Sequence, residues 1–263
     1  MSRIIYYVGV VVGSLYLISM YLEKTTTKVF FRQSLVNGKE CSSKFAKDEF
    51  NAANGQTNKL YEHPEKFPDN AIIIEAGAFS GLDVSVCVKN AQQRHVNLED
   101  MQFRLYEPMQ DSYNKLSKFA SKFPFISTFQ AGISSETKTM CMNTKDTSDG
   151  AVVFQCSKGN FKVVDIASTY AETETVFLLS INCEGCEVEI LERVLELDNK
   201  PLNIEVQFHR QHVSSDKYCE IRKKMAAQGY KEVYHYNFVW DLYTLQVDKN
   251  ATHEEDTKIT SIT

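Results

Sequence analysis

The sequence predicts a doubly wound α/β domain on a mostly parallel seven-stranded sheet with a terminal antiparallel pair. Three observations carry this. Ile72-Ile73-Ile74 runs into Glu75-Ala76-Gly77, and an amphipathic stretch begins at Leu82, giving the order strand, glycine turn, helix. Residues 176–181 repeat that order: an unbroken apolar run enters the polar turn Asn182-Cys183-Glu184-Gly185-Cys186-Glu187, and a second amphipathic stretch follows. Finally, the segments at 231–236 and 238–247 lie close enough in sequence to pair antiparallel.

The chain of 263 residues can bury its own core without staples. Its 43% hydrophobic and 24% charged content is that of a globular protein, and a net charge of −5 offers no broad basic surface to nucleic acid. Seven cysteines leave at least one thiol unpaired and do not fix the redox compartment.

Residues 4–22 carry no charge. As a helix at about 1.5 Å per residue they would span roughly 28 Å, close to a bilayer's hydrocarbon core. Tyr6, Tyr7 and Tyr21 sit near the ends, and no small-residue cleavage site follows. Residues 1–22 are therefore expected to be a transmembrane anchor in a single-pass, endomembrane protein. Residues 23–46 are expected to be a stem, 47–248 the folded domain and 249–263 a disordered tail. Lys24, Lys28 and Arg32 against Arg3 lean toward a cytosolic body, whereas the sequon at Asn250 would matter only in the lumen, so the side stays open.

Along the domain, residues 47–68 are polar with a few aromatics and predict one or two short helices. A strand at 71–75 leads through the glycine turn to a helix ending near Asn90. The strand at 102–106 stops at Glu107-Pro108, and proline opens a helix over 109–122. Residues 125–130 predict a third strand. Segments 138–143 and 151–156 flank a polar turn, as a β-hairpin inserted between the sheet strands. A short strand at 161–165 and a helical turn at 166–170 precede the buried strand 176–181 and a helix over 188–197. In 202–209, Glu205, Gln207 and His209 alternate with Ile204, Val206 and Phe208, as a strand requires. A helix at 218–227 ends at Gly229, and the antiparallel pair follows.

Ligands of open α/β sheets bind beyond the carboxyl ends of the strands. Glycines at Gly77 and Gly81 permit close backbone approach, though tight turns also use glycine for packing. Glu75 could accept hydrogen bonds from a ligand. Glu107, at the end of the second strand, stands where both ribose hydroxyls of a nucleoside could be held, or it is a plain solvated acid.

With these segments in place the chain resembles the FkbM-type methyltransferases, a branch of the class I S-adenosylmethionine-dependent fold. The resemblance is carried by Ile74-Glu-Ala-Gly-Ala-Phe-Ser-Gly81, Leu105-Tyr-Glu107-Pro108, Phe161-Lys-Val-Val-Asp165 and Leu178-Leu-Ser-Ile-Asn-Cys-Glu184-Gly185-Cys-Glu187. It implies S-adenosylmethionine as cofactor, bound by Glu75, Gly77, Ala78, Gly81 and Glu107, and methylation of a hydroxyl on a small molecule or glycan. The family usually has Asp where this chain has Asn182, and Lys where it has Ser180. Asn cannot act as a base.

Among residues for the chemistry, Glu184 ranks first as the base and His209 second, since imidazole titrates near neutrality. Their plain alternatives are helix capping and a satisfied strand-end histidine. Two rival functions stand beside methyl transfer. One is a catalytically silent, membrane-tethered binder of the same fold, which Asn182 supports. The other is a thiol-disulfide oxidoreductase using Cys183 and Cys186, a C-x-x-C pair at a strand-to-helix junction. No second C-x-x-C or paired histidine completes a zinc site.

Overall fold

The computed structural model describes residues 60–142, 153–155, 161–209, 211–236 and 240–246. The expected anchor, stem and tail lie outside them. Among the described residues no helix is long and apolar enough to cross a membrane.

After a 3-10 turn at Pro64–Lys66, the chain forms β1 (Ile72–Ala76), α1 (Leu82–Arg94), β2 (Gln102–Tyr106), α2 (Gln110–Ala120) and β3 (Ile126–Phe129). Four short strands follow: β4 (Gly132–Ser134), β5 (Lys138–Met142), β6 (Val153–Gln155) and β7 (Phe161–Asp165). A 3-10 turn at Ile166–Ser168 leads to β8 (Val176–Ile181), α3 (Glu187–Glu196), β9 (Asn203–Gln207), α4 (Ser215–Ala227), β10 (Tyr230–Tyr236) and β11 (Trp240–Leu245).

The main sheet has seven strands in the order β10-β11-β9-β8-β1-β2-β3. β9, β8, β1, β2 and β3 are mutually parallel, and β11 runs antiparallel to both of its neighbours. The expected doubly wound sheet with its closing antiparallel pair is thus present.

Period-2 alternation along each strand divides the core between the two faces. Ile72, Ile74, Leu179 and Ile181 pack with Ile190 and Val194 of α3 and Ile221 and Met225 of α4. Ile73 and Leu178 point the other way, toward Val84 and Val88 of α1 and Leu116 of α2. Each such apolar side chain, fully buried, contributes about 1.5–3 kcal/mol.

Several boundaries and one topology differ from the sequence reading. α1 continues past Asn90 to Arg94 because Ala91 is buried in its stripe, and His95 closes it in the left-handed conformation, its N–H reaching the carbonyls of Ala91 and Gln92. β9 stops at Gln207, and α4 starts at Ser215, capped by the Ser214 side chain accepting from the Lys217 N–H. The hairpin forms as expected, Met140 opposite Gln155, but it is not inserted in the main sheet. It joins β4 and β7 in a separate four-stranded sheet of order β4-β7-β5-β6. Local patterning fixes the hairpin. Its partner strand is chosen by the long-range pairing of Lys138 with Val163.

Strand order reverses at β1: the chain proceeds from β1 to β2 and β3 on one side, and β8 lies against β1 on the other. The registers align Phe129, Tyr106, Ala76, Ile181, Val206, Asp241 and His235 in one row at the carboxyl rim. The turns after β1 and β8 therefore leave the sheet side by side at its switch point. Because Leu179 is fully buried on the α3/α4 face, Leu179→Ala should cost about 2–5 kcal/mol, read as a lower urea midpoint at unchanged slope.

Candidate functional site

The first rim turn is held by its own backbone. The N–H groups of Gly77 and Ala78 both reach the carbonyl of Tyr106 at 3.0 Å, and Gly77 and Gly81 have φ of 85° and 83°. A Cβ on Gly77 would lie 1.9 Å from the carbonyl oxygen of Asn182. That glycine is required because the turn after β8 passes against it, a packing demand that holds with or without a ligand. A Cβ on Gly81 would meet only side-chain atoms, Phe119 at 2.9 Å and Leu116 at 3.1 Å. Phe79 at the tip is also left-handed, at φ 49°, and is exposed.

Glu107 is docked on this turn. Its Oε2 accepts from the N–H of Phe79 and its Oε1 from the N–H of Met109, both at 2.8 Å. Burial raises its carboxyl to about 7, and the two backbone bonds only partly oppose that. Glu75 sits one position inside the rim, buried, accepting from the Tyr61 hydroxyl at 3.0 Å. Burial and the nearby Asp83 push Glu75 well above the carboxylate range, and burial raises Asp83 too. Among the described residues no cation offsets this cluster of three acids. Beside it, Tyr106 and Phe129 stack with ring centroids 4.6 Å apart, and Phe129 is 40% exposed.

The second turn is built differently. Asn182 donates its N–H to the Ala76 carbonyl at 2.8 Å, joining the two turns. Cys183 and Cys186 form a disulfide with Cα atoms 5.6 Å apart. Between them Glu184 and Gly185 take left-handed φ of 53° and 115°. Glu184 Oε1 is 2.9 Å from His209 Nε2, and its Oε2 accepts from Gln211 at 3.1 Å. His209 Nδ1 bonds Oε1 of Glu187, a fully buried acid at the start of α3. Burial works against a charged His209 ring, but the bonds to Glu184 and Glu187 outweigh it and carry the ring to about 9. Burial raises Glu184, and its bond to His209 outweighs that and lowers it below the usual range. His209 therefore does not titrate near neutrality, as its sequence alone suggests.

A cavity of ≈ 490 Å³ opens beside this second turn, lined by Gly185, Val188, His212, Val213 and Lys217 among others. Gly77, Gly81 and Glu107 do not line it. Farther along the rim, buried Asp241 accepts from Tyr218, Tyr243 and His235 and locks α4 onto β10 and β11.

The structure thus brings Gly77, Ala78, Glu107, Asn182, Glu184 and His209 to one rim, with Gly81 opening α1 just beyond and Glu75 one row inside. Sequence reasoning assigned no role to Asp83 or Glu187. Each is an acid in the first turn of a helix, which reads as ordinary dipole compensation; full burial distinguishes Glu187, and the neighbouring Glu75 distinguishes the half-buried Asp83.

No protein-family profile matches this sequence, and no curated protein matches it. Among solved structures it is similar to the methyltransferase FkbM from Methylobacillus flagellatus, at 12% identity and TM-score 0.46, covering 75% of this chain and 58% of that one. An rRNA methylase from Streptococcus thermophilus aligns at 12% identity and TM-score 0.40, covering 71% and 93% of the two chains. Aeropyrum pernix fibrillarin, solved with natively bound S-adenosyl-L-methionine, aligns at 11% identity and TM-score 0.38, covering 66% of each. The chain spans little more than half the length of the FkbM protein. These likenesses concern the chain trace alone.

Gly77→Ala should be far more damaging than Gly81→Ala. Both place Ala at positive φ, costing about 1–2 kcal/mol, but only Gly77→Ala drives a methyl into backbone. Thermal melts of the two variants should show the larger loss at Gly77.

Proposed function

We propose that this chain is an S-adenosylmethionine-dependent methyltransferase acting on a hydroxyl oxygen of a small molecule or glycan. The observation that carries the reading is Glu107, bonded to the N–H of Phe79 on the glycine turn and placed at the switch point of the sheet. Such crevices are where doubly wound folds bind nucleosides.

The residues fit the cofactor. Glu75, Asp83 and Glu107 are acids raised by burial without a cation among the described residues, a surrounding suited to a ligand of net positive charge. Each oxygen of Glu107 keeps lone-pair capacity for a ribose hydroxyl, and the Tyr106–Phe129 stack offers an apolar face to a purine. S-adenosylmethionine supplies a methyl group on a positively charged sulfur, open to in-line attack by an oxygen lone pair.

Glu184 takes the acceptor's proton in this scheme. Its carboxylate is held below the usual range, yet it suffices, because a hydroxyl oxygen gaining a methyl group becomes a strong acid. His209 is a cation between two carboxylates and orients Glu184 rather than deprotonating the acceptor. Asn182 serves through its backbone, by the N–H bond to Ala76 and the carbonyl packed on Gly77. Its amide side chain then costs the site no base. The cavity beside Gly185 and His212 is the place for the body of the acceptor.

The localisation we propose is an endomembrane one, with the anchor in residues 4–22 and the domain in an oxidising lumen. The Cys183–Cys186 bond and the disulfide-bonded Cys141 and Cys219 support the lumen over the cytosol. If so, Asn250 is glycosylated, and the full chain made in cells should shift on a gel after endoglycosidase treatment while Asn250→Gln does not.

Calorimetry with S-adenosylmethionine tests the main reading. Wild type should bind, and Glu107→Ala should bind about 10–100-fold more weakly, as expected for lost bonds to a charged group. Glu107 must be ionised to accept both hydroxyls, so affinity should fall as pH drops below about 7, with protons released on binding near that pH. No heat with wild type removes the proposal. Binding without methyl transfer to any hydroxyl acceptor leaves the silent binder.

A further inference from the structure

The scheme above gives Glu187, the second carboxylate on the His209 ring, no role of its own, although this acid is fully buried. A carboxylate in the first turn of a helix is ordinarily stabilised by the helix dipole while remaining in water. Glu187 is instead 0% exposed, with Oε1 accepting from the Gly185 N–H at 3.1 Å and from His209, while Oε2 has no hydrogen-bond partner among the described residues. Capping does not require that burial. The bonded oxygen of Glu187 faces the Gly185 N–H and the His209 ring.

We propose that Glu187 is a positioning residue: it holds the His209 ring by Nδ1, so that Nε2 clamps Glu184 in the orientation in which it meets the acceptor hydroxyl. The three side chains come from two pieces of chain, the turn that leads into α3 and the segment after β9. Glu184 is in the left-handed turn, Glu187 on α3, and His209 beyond β9. The chain Glu187–His209–Glu184 therefore ties a turn closed by the Cys183–Cys186 disulfide to the neighbouring strand. The charged and titratable groups facing His209 are Glu184 from the turn, Glu187 from α3 and His212, whose ring centroid lies 6.5 Å away. Two carboxylates, one on each ring nitrogen, define the ring's plane and keep a proton on both nitrogens. Only the role of Glu184 rests on the methyl-transfer reading; the clamp itself does not.

Nitrogen NMR of the His209 ring in the full chain, wild type and Glu187→Gln, is the test. In wild type both ring nitrogens should stay protonated through neutral pH and titrate near 9. Glu187→Gln keeps the shape and removes the charge, so the titration should drop by at least one pH unit toward the ordinary 6.5 of histidine. Turnover should fall at least tenfold with the dissociation constant for S-adenosylmethionine unchanged, and Glu187→Asp should recover part of both effects. A wild-type ring that titrates at the ordinary value overturns the proposal, even if Glu187→Gln fails to fold. So does a Glu187→Gln variant with unchanged titration and turnover. If wild type binds no cofactor while the titration shifts as expected, methyl transfer falls and the clamp stands.

Discussion

The meeting of two strand-end turns across the switch point is the constraint on which the rest of the site depends. β1 and β8 are neighbours only because strand order reverses there. Their ends are joined by the Asn182 N–H on the Ala76 carbonyl, and the Asn182 carbonyl fills the space beside Gly77. With no side chain at Gly77, the two turns close to backbone contact. Everything functional is then placed by distance from that contact, Glu107 one strand to one side and Glu184 with His209 to the other.

The two sides of the contact obey opposite electrostatics. Around the glycine turn, burial dominates and acids are raised: Glu75, Asp83 and Glu107 hold protons more tightly than free carboxylates. Around the second turn and along α3, cations dominate and acids are lowered. Glu184 has His209, Glu189 has Lys138 with Ser134 and Ser135, and Glu192 has Lys217 and Lys224. The first side has electrostatic energy to gain from an incoming cation. The second is already neutralised and gains little, so it is preorganised for positioning. This division supports a charged cofactor at β1 and β2 and an acceptor of lower charge near β8 and β9.

The sequence made the sheet legible because its signals are local. Val176 to Ile181 is an apolar run and Gln102 to Tyr106 an alternating one, each stopping at a polar turn, and the closing pair follows from two adjacent aromatic-rich segments. The separate small sheet was not legible. Gly132–Ser134 is three residues long, and its pairing with Val163 to Asp165 depends on chain more than thirty residues away. The same limit applies to the site. Glu107 and Glu184 could be named because each ends or follows a strand. The pairing of His209 with both Glu184 and Glu187, which turns a neutral base into a held cation, exists only once α3 and β9 have packed.

Ser180 shows how the centre of the sheet handles two neighbouring buried acids. It stands opposite Glu75 on β1 and Glu205 on β9, so a buried row of Glu75, Ser180 and Glu205 crosses three strands on one face. A lysine at Ser180 would set a cation between two acids. Here the segment leading into the domain supplies neutral donors, the Tyr61 hydroxyl to Glu75 and the Leu60 N–H to Glu205 at 3.2 Å. A neutral donor stabilises a carboxylate less than an ammonium does, and burial then favours the protonated form of Glu75. With no cation at Ser180, burial leaves a proton on Glu75. Of the three acids around the glycine turn, Glu107 and Asp83 are then the two that ionise most readily to meet a cationic ligand.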